Sequence, residues 1–330
     1  MGEQGQRKLC LPFPRRMADS SVDPAIYGGY VCTLNEELQA KAEKELNEKP
    51  AQRAEDIQKL RNMVEKRKDL RIRTDDGFLL KFLRAKKFDL ERAFTLIVKH
   101  YQMKAENPEL MSNLRPSAVK HVLEAGVTGV LHHQDREGRK VIIFRPGLWD
   151  PDKFGLGDIF RTNFITLSKL IEDEETQING VVMIADLKGM GWNHAKNMSP
   201  FYAKRIASLL QDCFPMRFKG VHYVHEPKIF DYVFALIKPF MKEKILSRIN
   251  FHGDRIQELA DIVDPEFLPE EYGGKKPPFS NKEWADCLLS CDAQFDAEAK
   301  HGLIINTPLQ TKQKEDAVDG VVGSFRKLET

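Results

Sequence analysis

Gly180-Val-Val-Met-Ile-Ala185 is a run of apolar, largely β-branched residues with the length of one buried strand. Similar runs precede and follow it at Lys140-Val-Ile-Ile-Phe144 and Gly220-Val-His-Tyr-Val224, and Ile249-Asn-Phe-His252 is a weaker fourth. The stretches between them have helical periodicity and span residues 156–172, 194–213 and 226–247. Continuous apolar strands that alternate with helices predict an α/β fold with a mostly parallel sheet.

The region before this alternation has a different texture and favours four short amphipathic helices. Thr33-Leu-Asn-Glu36 has the spacing of a capping box and predicts the start of the first helix. Later starts are predicted at Asp75 or Asp76 and at Asp89. The predicted organisation is a disordered tail, a small helical domain, an α/β domain, and a C-terminal helix with a second disordered tail: residues 1–30, 31–112, 117–280 and 281–330.

The composition excludes several classes of protein. Of the 330 residues, 42% are hydrophobic and 30% are charged, so the chain can bury a sizeable core. Lys and Arg total 51 against 49 Asp and Glu, which argues against a partner such as nucleic acid that needs a global basic field. No stretch approaches the roughly 20 apolar residues that span a bilayer, and the N-terminus lacks a signal-peptide core. We expect a soluble, cytoplasmic protein.

The search for catalytic motifs gives nothing. The chain has no G-x-S-x-G elbow, no P-loop and no G-x-G-x-x-G between a strand and a helix. No group of His, Cys and carboxylate residues has convincing metal-ligand spacing. The sequence therefore predicts a protein that is not an enzyme, with no catalytic residue, metal or cofactor.

Ile229-Phe-Asp-Tyr-Val-Phe-Ala-Leu-Ile-Lys-Pro-Phe-Met241 is apolar on nearly every side of the predicted helix. At 13 residues it is too short to cross a membrane. Two interpretations stay open from the residues alone. The helix is either buried in a crowded core, or it is a lid that covers an apolar cavity and touches a membrane with its other face.

Basic residues concentrate locally although the whole chain is almost neutral. Between Lys204 and Arg255 there are ten Lys and Arg against five Asp and Glu. A second cluster in the predicted helical domain comprises Lys81, Arg84, Lys86 and Lys87. These clusters are either solvated surface or a site for a polyphosphate or an anionic lipid.

Several motifs resemble one known family. Phe78-Leu-Leu-Lys-Phe-Leu-Arg-Ala-Lys-Lys-Phe-Asp89 resembles the N-terminal helical signature of the CRAL-TRIO family. Four further motifs resemble its lipid-binding domain: Glu174-Glu-Thr-Gln-Ile-Asn-Gly180, Leu210-Gln-Asp-Cys-Phe-Pro215, Ile237-Lys-Pro-Phe240 and Phe267-Leu-Pro-Glu-Glu-Tyr-Gly-Gly274. The resemblance covers about residues 30–280 in the correct order and is greatest to the tocopherol-carrying members.

The resemblance implies a mixed sheet that forms the floor of a lipid cavity, closed by a helical lid at residues 225–248. The matching cavity positions are Phe160, Asn163, Leu167, Val181, Met183, Ala185, Ile206, Leu209, Leu210, Phe214, Phe218 and Val221. Tocopherol carriers have serines at the positions of Asn163 and Leu167. Retinaldehyde binders have a Tyr at the position of Asn163 and a Glu at that of Ala185. The implied ligand is therefore a hydrophobic lipid whose identity the sequence leaves open.

The resemblance also implies contact with membranes. Basic positions that match a phosphoinositide headgroup site are Lys86, Arg217, Lys219, Lys244 and Arg248. Lid and membrane-contact positions are Trp192, Ile229, Val233, Phe234 and Leu236, of which Ile229, Val233 and Leu236 are expected on the outer face.

The function implied by these positions is the binding and transfer of a tocopherol-, isoprenoid- or retinoid-like lipid. Phosphoinositide bisphosphate would direct docking, and the lid would gate exchange. The alternative is a phosphoinositide-binding trafficking adaptor. We expect a monomer in solution that visits endosomal or plasma membranes transiently.

Overall fold

The computed structural model describes residues 30–304 of the chain. The predicted N-terminal tail, apart from Tyr30, and the predicted C-terminal tail from residue 305 onward lie outside the described residues. The α-helices are α1 (Glu36–Leu46), α2 (Arg53–Glu65), α3 (Asp76–Ala85), α4 (Leu90–Glu106), α5 (Pro108–Met111), α6 (Lys120–Glu124), α7 (Leu156–Leu170), α8 (Glu174–Asn179), α9 (Trp192–Ala195), α10 (Pro200–Gln211), α11 (Ile229–Ile237), α12 (Glu243–Leu246), α13 (Lys282–Leu289) and α14 (Asp292–Glu298). The strands are β1 (Leu70–Arg71), β2 (Thr128–Val130), β3 (Lys140–Phe144), β4 (Val181–Asp186), β5 (Phe218–Val224), β6 (Ile249–Phe251) and β7 (Gly302–Leu303).

The predicted starts of the third and fourth helices are confirmed. The Asp75 carboxylate accepts from the Phe78 amide at 3.0 Å, and Asp89 caps α4 in the same way. The capping box at Thr33 is wrong, because the side chain of Asn35 caps α1 instead. Thr33 donates through its amide and its hydroxyl to the Glu174 carboxylate. The Thr33 amide thus donates to a carboxylate remote in the chain rather than to that of Glu36, the acceptor that a capping box would use.

The mixed, mostly parallel α/β sheet is confirmed. Its order is β2-β3-β4-β5-β6, with β2 antiparallel to β3 and all other neighbours parallel. Because consecutive parallel strands are joined by right-handed crossovers, this order places the connecting helices on one face of the sheet. The three-residue strand β2 has no apolar run of its own and was not predicted.

The two faces of the sheet are filled differently. Val182 and Ile184 are 0% exposed and pack against Leu259, Val263 and Leu268 from the segment after β6. The opposite face carries the alternate residues of each strand and looks toward the connecting helices. One face is thus closed by the chain's own C-terminal segment, whereas the other is available for a site.

A buried polar network joins the helical region to the sheet region. Arg84 at the end of α3 is 0% exposed. Its guanidinium donates to Glu48 on one side at 2.8 Å and to Glu174 and Gln177 of α8 on the other, each at 2.8 Å. Since buried charges persist only when paired and hydrogen-bonded, these contacts fix α3 against α8.

Candidate functional site

The floor of the site consists of two cross-strand rows on the helix-facing side of the sheet. Pairing aligns Ile142, Met183, Val221 and Ile249 in one row and Phe144, Ala185, Tyr223 and Phe251 in the other. Met183 lies in the middle of the sheet yet keeps accessible surface, whereas its neighbours Val182 and Ile184 on the other face have none. Space therefore remains above Met183.

The predicted cavity residues lie together on this side of the sheet. Six of them are buried members of one apolar cluster: Phe160, Leu167, Val181, Leu209, Phe214 and Phe218. Met183, Ile206 and Leu210 pack against the cluster and stay partly exposed. Ala185 and Val221 are buried in the floor rows. Side chains from α7, α10, β4 and β5 thus converge as the resemblance implied, although their role in binding stays a prediction.

Asn163 is the polar residue of this wall. Its side-chain oxygen accepts from the Thr128 hydroxyl at 3.2 Å, and its amide nitrogen donates to the Ile159 carbonyl at 3.0 Å. An amide has two N–H donors, so one remains for a ligand. The Leu167 side chain offers no polar atom at all. At these two positions, polar recognition therefore depends on Asn163 alone.

The predicted lid is not one continuous helix. It comprises α11, a 3₁₀ turn at Lys238–Phe240 and the short α12. Pro239 lies in the 3₁₀ turn, and a proline lacks the N–H donor that an uninterrupted α-helix needs. His225, just before α11, has a φ of 54°, which marks a sharp change of chain direction. The lid region therefore begins at one backbone break and is divided by a second one at Pro239.

Aromatic rings connect the lid to the end of the sheet. Tyr223 lies 4.8 Å from Phe230 between ring centroids, and Phe251 lies 5.3 Å from Phe234. Tyr223 and Phe251 stack at 5.4 Å in the floor row itself. Aromatic pairs at such separations stabilise a contact by roughly 0.5–1.5 kcal/mol beyond their buried area. These contacts hold the helix of the predicted lid against the end of the sheet.

The outer face of the lid differs from the prediction at one position. Val233 is 3% exposed and packs with Phe230, so its placement on the outer face is wrong. Ile229 and Leu236 are half-buried, and Tyr232, which the sequence analysis missed, is 45% exposed. Positions 229, 232 and 236 share one helical stripe, but 229, 233 and 236 fit a stripe equally well, so no sequence signal singled out Tyr232.

An exposed aromatic pair extends this outer face. Trp192 of α9 is 59% exposed, and its ring centroid lies 5.9 Å from that of Tyr232. Trp and Tyr combine an apolar body with a polar edge, a combination that suits the interface between water and lipid. The two rings therefore lie on the solvent-exposed side of α11.

The structure brings Arg217 and Lys219 together around one carboxylate. Glu45 of α1 lies 2.9 Å from Arg217 Nη2 and 3.6 Å from Lys219 Nζ. The hydrogen bond from Arg217 holds the pKa of Glu45 below its usual range. No local pattern pointed to Glu45, because it reaches the site from a helix at the other end of the chain.

The other predicted basic residues share the same electrostatic environment. Burial lowers the pKa of Lys244, and the charges of Arg248, Lys87, Arg92 and Arg217 lower it further. Arg248 lies in the turn after α12 and donates to the Phe218 carbonyl, so it does not share a helical face with Lys244 although the two residues are four apart.

Lys86 completes the group from the helical region. Burial is the main cause that lowers the pKa of Lys86, and the nearby charges of Arg92, Lys242 and Lys244 lower it further. We call Lys86, Arg217, Lys219, Lys244 and Arg248 the basic patch. An anion would relieve the repulsion between neighbouring positive charges, which adds to burial in lowering the pKa of Lys86 and Lys244.

Comparison with known proteins identifies the class of the chain. Residues 124–274 match the CRAL/TRIO domain family, and residues 49–120 match the family described as Pinta-like, UBA domain. The chain belongs to the CRAL-TRIO family of lipid-binding proteins, which confirms the resemblance in its motifs. Among residues 30–304, no helix combines the length and the apolar character that crossing a bilayer requires.

Relatives with two different names match most of this chain. "Alpha-tocopherol transfer protein-like" of Homo sapiens is 45% identical over 300 residues, which cover 90% of this chain and 88% of that protein. The protein of the same name from Mus musculus is 45% identical over 271 residues, with 82% and 79% covered. "Clavesin-1" of Mus musculus is 37% identical over 294 residues, with 88% and 83% covered.

Proposed function

We propose that the protein carries one hydrophobic lipid above the sheet floor and delivers it to membranes that display a phosphoinositide bisphosphate. The observation that carries this proposal is the accessible surface at Met183, on the same face of the sheet as Tyr223 and Phe251, whose rings contact the helix of the predicted lid. The relatives named for tocopherol transfer support a lipid of the tocopherol, isoprenoid or retinoid type. In this proposal the protein is a carrier and not an enzyme.

Burial of a lipid chain makes spontaneous release slow. Each buried CH₂ group contributes about 0.8 kcal/mol, so a dozen carbons contribute on the order of 10 kcal/mol. Release therefore requires the lid to open where the lipid meets another apolar phase. The backbone breaks at His225 and Pro239 give the lid two points at which it can hinge.

The outer surface supplies the membrane contact in this proposal. Trp192 and Tyr232 would enter the interface, and half-buried Ile229 and Leu236 would follow when the lid moves. Each basic residue near an anionic leaflet contributes roughly 1 kcal/mol. That sum gives reversible docking, which suits a cytoplasmic carrier that visits endosomal or plasma membranes.

The basic patch favours a headgroup with more than one phosphate. The Nη2 group of Arg217, which now donates to Glu45, can donate to a phosphate oxygen, while its Nη1 group donates to the Ile178 carbonyl; Lys219 and Lys244 act as point charges. The headgroup must displace Glu45, which already occupies two of these cations at 2.9 Å and 3.6 Å. A doubly phosphorylated ring competes with one carboxylate better than a singly charged headgroup does.

The test is a lipid extraction of the full chain after mild purification from cells, analysed by mass spectrometry. One neutral lipid in a nearly equimolar amount is expected.

A second candidate function is that of a trafficking adaptor, which the 37% identity to a clavesin favours. An empty or randomly filled protein that still binds bisphosphate liposomes would support the adaptor and overturn the carrier.

Lid variants test the gating step. Phe234→Asp places a charge against the Phe251 ring and should abolish retention of the lipid while the protein stays folded. Tyr232→Asp, on the exposed side of the same helix, is the matched control. It should keep the lipid and slow only transfer to liposomes. Equal lipid occupancy in Phe234→Asp and the native chain contradicts the lid.

A further inference from the structure

A cavity of about 240 Å³ lies at the junction of the helical region, the sheet region and the C-terminal helices. It is lined by residues of α3, α4, α7 and α14. On α7, Asn163 bonds to Thr128 of the sheet, whereas Phe164 and Ser168 line this cavity. The helix thus presents different side chains to the sheet floor and to this second space, which we call the junction cavity.

The junction cavity has an apolar interior. Its buried aromatic side chains are Phe78, Tyr101, Phe164, Phe214 and Phe295. Each of them is at most 7% exposed. The volume is below the roughly 300–1,000 Å³ that is usual for drug-sized ligands, so the space suits a smaller molecule.

The rim of the junction cavity carries unbalanced positive charge. Its two carboxylates are already paired, Glu298 with Arg73 at 2.6 Å and Glu172 with Lys169 at 3.1 Å. Lys81 and Lys104 also line the cavity, and within residues 30–304 neither forms a salt bridge with a carboxylate.

Both lysines lie over aromatic rings. Lys81 Nζ is 4.3 Å from the centroid of Phe78, and Lys104 Nζ is 5.2 Å from that of Tyr101. A ring face attracts a cation but accepts few of its three N–H donors, so the ammonium groups keep hydrogen-bonding capacity. Burial lowers the pKa of both lysines, and Glu298 opposes that effect in each case.

A further polar atom of the lining lacks a partner. Gln294 of α14 donates through its amide nitrogen to Glu172, but its buried side-chain oxygen accepts no hydrogen bond in the described part of the chain. Buried polar atoms are normally satisfied. A ligand or water with a donor group would satisfy this one.

We propose that the junction cavity binds a small amphipathic anion. A carboxylate or phosphate group would lie between Lys81 and Lys104, and an aromatic or short aliphatic body would contact the buried rings. This arrangement pairs two partly buried charges and fills apolar space, both of which favour binding. The proposal does not depend on the carrier function, because its two lysines belong to neither the sheet floor nor the basic patch, although Phe214 is shared with the predicted wall of the lipid cavity.

The test is calorimetric titration of the full chain with three probes of similar shape. Phenylacetate and phenyl phosphate carry the anionic group, and phenylacetamide is their neutral counterpart. We expect at least one anion to bind at least tenfold more tightly than the amide. Comparison of the two anions shows whether a carboxylate or a phosphate is preferred, and this arm needs no variant.

Variants then locate the site. Lys81→Met and Lys104→Met should each weaken binding of the anion about tenfold. Lys99→Met is the matched control, because Lys99 is exposed on the same helix as Lys104 and does not line the cavity. Equal binding of acid and amide, no binding of either anion at millimolar concentration, or an equal loss in Lys99→Met would overturn the proposal.

Discussion

Arg84 and Arg217 are the same side chain in opposite circumstances. Arg84 is 0% exposed, and its donors are bonded to fixed acceptors on α8 and to Glu48, itself 1% exposed. Arg217 is 14% exposed and shares its one carboxylate partner, Glu45, with Lys219. Arg84 therefore has nothing left to offer a ligand, whereas Arg217 lies in a crowded positive field that an anion would relieve.

The comparison shows that partners, rather than residue type, separate a structural cation from a binding one. Glu48 and Arg84 are buried together. Neither can take an outside group as its partner without leaving the other as an unpaired buried charge. Glu45 is 35% exposed and carries an ordinary surface ion pair, which a stronger anion can replace. Substitutions at the two arginines should therefore affect different properties.

The largest expected effect is on stability. Arg84→Met leaves the buried Glu48 carboxylate without its partner and should lower the free energy of unfolding by about 3–5 kcal/mol. Arg217→Met should lower it by only about 1–2 kcal/mol, because its ion pair with Glu45 is partly exposed and the hydrogen bond that it donates to the Ile178 carbonyl is a single one. Urea unfolding followed by circular dichroism measures both. Equal losses in the two variants would remove the distinction.

The next effect is on membrane binding. Arg217→Ala/Lys219→Ala removes two charges worth roughly 1 kcal/mol each near an anionic leaflet, so affinity for phosphatidylinositol-bisphosphate liposomes should fall about 30-fold. Occupancy by the cavity lipid should be unchanged, and lipid transfer should slow. Liposome flotation at physiological salt measures binding. If binding persists there, the basic patch is solvated charge without a docking role.

A smaller effect in the opposite direction is expected from the resident carboxylate. Glu45→Gln removes the group that the headgroup must displace and should raise affinity for the same liposomes about fivefold. Glu43→Gln, exposed on the same helix, is the charge-matched control. An equal gain in both variants would mean that only net charge matters, and that Glu45 has no specific part.

The smallest expected effect is on the alkaline pH at which liposome binding begins to decline. Burial lowers the pKa of Lys86, Lys219 and Lys244 from the ordinary lysine value of 10.5. A lowered pKa means that the positive charge is lost at a lower pH as pH rises. Liposome binding should therefore begin to decline below pH 10.5. A decline confined to higher pH would indicate ordinary, exposed lysines.

Local sequence patterns predicted the secondary structure correctly wherever a short segment determines its own conformation. The four apolar runs became β3 to β6, and Asp75 and Asp89 cap helices as predicted. They failed where a distant group competed, as at Thr33, which bonds to Glu174 instead of capping α1. They also missed β2, because an edge strand of three residues is too short to leave a periodic signal.

The lid shows the same limit on a smaller scale. The apolar run at residues 229–241 established that a helix there buries an unusual amount of surface. Only the packing of Phe230 and Val233 against Leu187 and Ala203 decided which stripe faces inward. A helix apolar on nearly every side has no sequence signal for its rotation.

By itself, the sequence determined the α/β fold, the family, and the presence of basic clusters. The tertiary structure alone divided one such cluster among three destinations: Lys81 in the junction cavity, Arg84 in the buried network and Lys86 in the basic patch. Successive helical residues point about 100° apart, so near neighbours in sequence meet different partners. Those partners come from α1, α8, α12 and α14, which are remote in the chain and close only in the fold.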